Sequence, residues 1–109
     1  MEFSTQTTPD GGCRMAIGGD FDIYCAAEAK ASLIGELRTH PQLELDLSHV
    51  RTIDSAGFQL LALAKLESRR LGGELRIVGH STAVREVIEF YNMVGFFGDP
   101  LVIPASDDN

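Results

Sequence analysis

Basic side chains are scarce in this chain: 9 Lys and Arg stand against 16 Asp and Glu, for a formal net charge of −7. That balance repels phosphate backbones and anionic lipid surfaces, so nucleic acid is a disfavoured partner. Cysteine is nearly missing as well. Cys13 and Cys25 share no C-x-x-C or Cys/His spacing, and two thiols in a chain that needs no stapling suit a reducing compartment, as small packed residues. No apolar run approaches the roughly 20 residues that cross a bilayer, and Met1 to Thr5 show no basic stretch leading into an apolar one. The expectation is a cytoplasmic protein without direct membrane insertion. Internal repeats, low-complexity tracts and long linkers are missing too.

Signatures of catalysis are equally sparse. No G-x-x-x-x-G-K-[ST] phosphate loop occurs, and no G-x-S-x-G nucleophile elbow. His40, His49 and His80 fall in expected loops with no visible pairing to a serine. Asp22, Asp46 and Asp54 could in principle hold Mg²⁺, but Asp46 lies inside an alternating strand pattern and scattered acids are usually solvated. The expected protein is no enzyme and has neither cofactor nor metal.

What is present suffices for one domain. A chain of 109 residues with 44% hydrophobic content can fill a single core, whereas two halves would each bury too little. The expected domain runs over 1–104, with a polar tail at 105–109. Residues 2–8 and 13–18 are β-capable and separated by Pro9-Asp10-Gly11-Gly12, a strong turn signal, so the chain opens with a hairpin. Gly18-Gly19 is read as a break. A helix then follows from about Cys25 to Arg38, with Ala29, Leu33, Ile34 and Leu37 on one face, and ends before Pro41. Leu43, Leu45 and Leu47 alternate with Glu44 and Asp46 in a half-buried strand that gives way to a polar turn. Asp54 or Ser55 caps the next helix, which runs to about Leu71 and stops at Gly72-Gly73. Residues 74–79 form another strand. Ser81 or Thr82 caps a third helix carrying Val84, Val87, Ile88 and Tyr91, and Leu101-Val102-Ile103 is a last short strand. The order β-β-α-β-α-β-α, with right-handed crossovers, implies an α/β fold. It is a two-layer domain with a small mixed sheet, an N-terminal hairpin and helices mainly on one face.

The stretch from Asp46 to Gly57 is the most informative. It delivers a hydroxyl and a carboxylate to a helix mouth where backbone N–H groups are unpaired. At 100° per residue, Leu60, Leu61, Ala64 and Leu71 share a side with Gly57, while Phe58, Ala62 and Leu66 lie nearly opposite, flanked by Lys65 and Arg69. That second stripe is either covered by the chain's own termini or a neighbouring helix, or offered to a partner. Ser55 taken alone is more often a helix cap, contributing about 1 kcal/mol, than a modification site.

Asp46-Leu47-Ser48-His49-Val50-Arg51-Thr52-Ile53-Asp54-Ser55-Ala56-Gly57 resembles the central motif of the STAS family, the domain of bacterial anti-sigma-factor antagonists. Gly19-Asp20-Phe21-Asp22 is similar to an earlier motif of that family, and residues 72–79 resemble its last well-marked strand. The resemblance covers about residues 14–97. It implies that Ser55 is phosphorylated by a kinase-type anti-sigma factor and dephosphorylated by a PP2C-type phosphatase. It further implies that Asp22 and Asp54 line the site, and that the helix from Ala56, Gly57 and Phe58 onward meets the kinase. Cys25 stands where many relatives carry Thr or Ser. The expected function is an antagonist-like regulator switched off at Ser55, in a monomer or weak dimer. The alternative is a non-switching STAS module, such as a signalling scaffold or a subunit of a lipid-transport ATPase complex.

Overall fold

The computed structural model describes residues 2–91, for Tyr91 the backbone only. The expected strand at 101–103 and the tail at 105–109 lie outside the described residues. Seven elements follow one another: β1 (Glu2–Thr7), β2 (Cys13–Phe21), α1 (Ala26–Thr39), β3 (Leu43–Ile53), α2 (Ser55–Arg70), β4 (Arg76–His80) and α3 (Thr82–Tyr91). The sheet order is β1-β2-β3-β4, with β1 antiparallel to β2 and the other two pairs parallel. This is the expected mixed sheet with its opening hairpin. The hairpin turn closes through Gly11 N to Thr8 O at 2.9 Å and Thr8 N to Gly12 O at 3.0 Å. Gly11 takes φ +86° there, a value that disfavours any side chain.

Alternation explains the two layers. Cys13, Met15 and Ile17 of β2 and Leu43, Leu45 and Leu47 of β3 are buried, pointing to the same side of the pleat. On the other side Arg14 meets Glu44 at 2.8 Å, and Arg76 lies 3.6 Å from the same carboxylate. One face of the sheet is therefore a charged surface, and the helices cover the other. Ala29, Leu33 and Leu37 of α1, Leu60, Leu61 and Ala64 of α2, and Val84 and Ile88 of α3 close the core. Burying a Leu or Ile side chain contributes about 1.5–3 kcal/mol.

Two expectations about the strands need correction. Gly18-Gly19 does not end β2, and the segment after Leu47 is no polar turn, because both strands continue to Phe21 and Ile53. The register shifts twice: Ala16 and Gly18 pair with Asp46 and His49, then Gly19 and Asp20 with Val50 and Thr52. At each shift β3 carries one residue more than β2, as in a bulge. The first shift brings Val50 to the buried side at 2% exposure, out of phase with Leu43, Leu45 and Leu47. A strict period-2 reading loses the strand at that point. The second places Arg51 and Thr52 together against Asp20, whose carboxylate accepts from Arg51 Nε at 3.1 Å, Arg51 Nη2 at 3.0 Å and Thr52 Oγ1 at 2.9 Å. These donors hold the Asp20 carboxyl below its ordinary range, Arg51 contributing most.

Smaller shifts concern element ends. α1 starts at Ala26, and β4 spans Arg76–His80 instead of starting at Glu74. Glu74 and Leu75 are needed elsewhere: Leu75 N donates to Ser68 Oγ at 3.0 Å, and Lys65 Nζ donates to Leu75 O. Of the two candidate caps for α3 the structure uses Ser81, whose Oγ accepts from Val84 N at 3.1 Å.

Candidate functional site

Because β2, β3 and β4 are parallel, all three helices start at the same edge of the sheet, outside the carboxyl ends of the strands. Such edges gather loops and helix N-termini, and ligands of α/β folds commonly lie there. Asp54 organises this one. It is the N-cap of α2, with extended backbone, and its Oδ1 accepts from Gly57 N at 3.1 Å. Its Oδ2 accepts from Ile23 N, also at 3.1 Å. One carboxylate thus closes the first turn of α2 and holds the loop between β2 and α1. The main chain adds a third tie, Asp54 N to Phe21 O at 3.3 Å.

Between the two candidate caps the geometry is decisive: Asp54 caps, and Ser55 is the first helical residue. Ser55 is exposed, and no described residue hydrogen-bonds its hydroxyl. Asp22 folds its own loop, its Oδ1 accepting from Tyr24 N at 3.1 Å and its carbonyl from Cys25 N at 3.0 Å. That Asx-type turn pushes two large apolar side chains into solvent, Ile23 at 65% and Tyr24 at 92% exposure.

Gly57 sits where α2 presses on the end of β2. A Cβ there would lie 2.5 Å from Phe21 O and 3.0 Å from Ile53 Cγ1, so only glycine lets the helix start this close. Ala56, next to it, is half-buried and forms a shallow groove between α1 and α2 with Ala26, Ala27, Lys30, Gln59 and Leu63.

The expected outward stripe on α2 is only partly outward. Phe58 is buried, at 7% exposure, and belongs to the core. Lys65 is fully buried; its Nζ lies 3.2 Å from Glu74 Oε2 as well as reaching Leu75 O. Both were expected on the solvent side. For Lys65 the reason is that Glu74 and Leu75 fold over the flank of α2 at Lys65 and Ser68, while Phe58 joins the core at the start of the helix. Leu66, at 51%, is exposed as expected, Ala62 is half-buried and Arg69 is exposed, with Arg69 Nε 3.6 Å from Glu74 Oε1. Helical spacing now puts Ser55, Gln59, Ala62 and Leu66 in one row at i, i+4, i+7 and i+11, with exposed Leu63 alongside. The row starts at Ser55 itself. Ile23, Tyr24, Gln59 and Leu63 were not singled out in the sequence. The only local signal was an apolar pair caught between Asp22 and the helix start.

The three carboxylates considered for Mg²⁺ do not gather. Both oxygens of Asp54 face backbone N–H groups, while Asp46 lies on β3 with Oδ1 turned to Ser48 N at 2.9 Å. Among the described residues no helix is long and apolar enough to cross a membrane.

Comparison with known proteins agrees with this architecture. No curated protein matches the chain by sequence. Among solved structures, an anti-sigma factor antagonist from Mycobacterium paratuberculosis is similar at 23% identity and TM-score 0.69, over 93% of this chain and 88% of that one. An antagonist from Thermotoga maritima, described as putative, aligns at 20% identity and TM-score 0.70, over 84% and 79%. SpoIIAA, the Bacillus cell fate determinant, in its phosphorylated form aligns at 15% identity and TM-score 0.66, over 93% of each chain. At these identities the likeness is one of fold. The family model described as "Mlab, STAS domain" matches residues 4–103, and with nearly the whole chain inside that match, this protein belongs to the STAS domain family.

Proposed function

We propose that this protein is a phosphorylation-switched antagonist of a kinase-type anti-sigma factor, itself without catalytic activity and acting in the cytoplasm. The observation that carries this reading is the exposed hydroxyl of Ser55, unengaged among the described residues, at the head of the α2 row that carries Ala62 and Leu66. The partner would dock over Ile23, Tyr24, Leu63 and Leu66, with Ala56, Ala62 and Arg69 at its margins and Asp22 and Asp54 shaping the loop. Gly57, Phe58 and Lys65 support that surface from beneath.

The switch is electrostatic. The partner kinase transfers the γ-phosphoryl group of ATP to Ser55 Oγ, whose proton is lost, and ADP leaves. A PP2C-type phosphatase hydrolyses the ester, returning the hydroxyl and inorganic phosphate. The phosphate adds roughly −1.5 to −2 charges at neutral pH beside Asp54, at the head of the docking row, so a partner packed on apolar side chains is expelled. The unpaired N–H groups of the first turn of α2 offset part of that charge, which keeps the phosphorylated form folded.

A fixed docking module on the same fold, either a scaffold or a subunit of a lipid-transport ATPase complex, is the second reading. The family match carries the Mlab description and not that of an antagonist, which favours keeping it. One experiment separates the two. Incubated with ATP and the serine kinase that co-purifies with the protein, the chain should be labelled at Ser55 and Ser55→Ala should stay unlabelled. Ser55→Asp should bind that kinase at least tenfold more weakly than Ser55→Ala. Full labelling of Ser55→Ala, or equal affinity of the two variants, refutes the switch.

A further inference from the structure

Cys13, Glu36 and His40 meet at the end of the sheet opposite Ser55. Cys13 opens β2, Glu36 lies in the last turn of α1, and His40 caps that helix, its backbone N donating to Glu36 O at 2.7 Å. Cys13 Sγ donates to Glu36 Oε1 at 3.7 Å, and His40 Nδ1 lies 3.6 Å from the same oxygen. One donor atom from each residue falls within 4.8 Å of the other two. We propose that Cys13, Glu36 and His40 form a mononuclear site for a Zn²⁺-class transition-metal ion.

Three observations support it. The first is the donor set: thiolate sulfur, imidazole nitrogen and one carboxylate oxygen are the ligands that borderline-soft divalent ions take, and not those of Mg²⁺ or Ca²⁺. The second is the spacing. Metal–sulfur distances of about 2.3 Å and metal–nitrogen or metal–oxygen distances of about 2.0 Å separate tetrahedral ligands by roughly 3.3–3.6 Å. The observed 3.7 and 3.6 Å to the shared Glu36 oxygen need to close by only a few tenths of an ångström, and the third edge, Cys13 to His40, lies within 4.8 Å. The third is an orphan: His40 Nδ1 is buried and has no hydrogen-bond partner in the described structure, an unfavourable state for a ring nitrogen that a metal bond would relieve.

The scaffold is rigid where the ligands sit. Glu36 and His40 are four residues apart, one turn of helix, so they face the same way. Pro41 follows His40, and its backbone is pressed so tightly by Gly73 that a Cβ at Gly73 would overlap the Pro41 carbonyl. His40 is thus held between a helix end and a clamped loop. Binding would release the Cys13 thiol proton to solvent and form one metal–sulfur, one metal–nitrogen and one metal–oxygen bond. Glu36 and His40 are each partly exposed, so the fourth position is left for water. A bound ion would staple the end of α1 to the start of β2.

Cobalt(II) titration of the metal-free protein tests this, since Co²⁺ replaces Zn²⁺ at such sites and a thiolate ligand gives an intense near-ultraviolet charge-transfer band. The expected result is a band that saturates at one equivalent, disappears when Zn²⁺ is added, and is absent in Cys13→Ala. His40→Gln, a partly exposed position that leaves the core intact, should abolish saturation at one equivalent. Cys25→Ala should retain the band. Zn²⁺ should also raise the melting temperature of the wild type and not that of His40→Gln. No thiolate band in the wild type, or a band that persists in Cys13→Ala, overturns the proposal.

Discussion

Asp54 Oδ2 accepts a hydrogen bond from Ile23 N across 31 residues of chain, while Oδ1 of the same carboxylate caps α2 through Gly57 N, both at 3.1 Å. The residue that starts the helix carrying Ser55 therefore also sets the loop presenting Ile23 and Tyr24. Changes at Asp54 act on both halves of the proposed docking surface at once.

Asp54→Ala removes the cap and the tether. The protein should lose about 1–2 kcal/mol of stability in urea unfolding, and amide exchange at Ile23 and Gly57 should quicken. Asp54→Asn retains one acceptor oxygen and should lose less. If Asp54→Ala unfolds at the wild-type midpoint, the double role assigned to this carboxylate is wrong.

Two glycines should respond with opposite sign. A Cβ at Gly57 would meet Phe21 O at 2.5 Å, whereas one at Gly35, inside α1, would meet nothing within 4 Å. Gly57→Ala should destabilise by about 1–3 kcal/mol through overpacking. Gly35→Ala should stabilise by about 0.5–1 kcal/mol, since alanine loses less backbone freedom in a helix. Thermal melts of both variants check the pair.

Lys65 and Leu66 are sequence neighbours with different duties. Lys65→Met keeps most of the buried volume but leaves Leu75 O without this donor, and should cost about 1–3 kcal/mol of stability. The carboxylate partner Glu74 is nearly half exposed, so losing the ion pair adds little. Affinity for the proposed kinase partner should fall far less than the stability, since Lys65 lies beneath the surface and does not touch the partner. Leu66→Asp should do the reverse, leaving the melting temperature within a degree or two and weakening the partner complex. Equal effects on binding would remove Leu66 from the interface.

Stability should fall on mild acidification because of His80. Burial, and then the Arg85 cation, push its pKa down, with Asp46 opposing, and its Nε2 is buried without a hydrogen-bond partner in the described structure. A base whose folded pKa is depressed is protonated first in the unfolded chain. Its contribution to stability is therefore complete above the ordinary histidine value near 6.5 and is lost as pH falls toward the folded value. Melting temperature recorded from pH 7.5 to 5 should drop more steeply for the wild type than for His80→Gln.

Much of this was legible in the chain. The alternation of Leu43, Leu45 and Leu47 against Glu44 and Asp46 placed a half-buried strand correctly, and Pro9-Asp10-Gly11-Gly12 placed the hairpin, since both patterns are local. The same local reading stopped at Ser48, because the bulge changes the phase of the alternation, so that Val50 and not Ser48 or His49 is next buried, and a strict period of two ends there. The row of Phe58, Ala62 and Leu66 had the right helix and the wrong edge. A wheel shows which residues share a side, but the width of the buried arc depends on what lies against it, as Glu74 and Leu75 do at Lys65 and Ser68.

The position of Ser55 at a capped helix mouth was thus written in its nearest neighbours, as were the order of strands and helices and the family motif. Capping, turn formation and amphipathic alternation are short-range effects within a few residues. The division of labour between Asp54 and Ser55, the burial of Phe58 and Lys65, the exposure of Ile23 and Tyr24, and the meeting of Cys13 with Glu36 and His40 came only from folding. Each depends on contacts between segments remote in sequence, where steric fit and buried hydrogen bonds settle which of several locally acceptable arrangements survives.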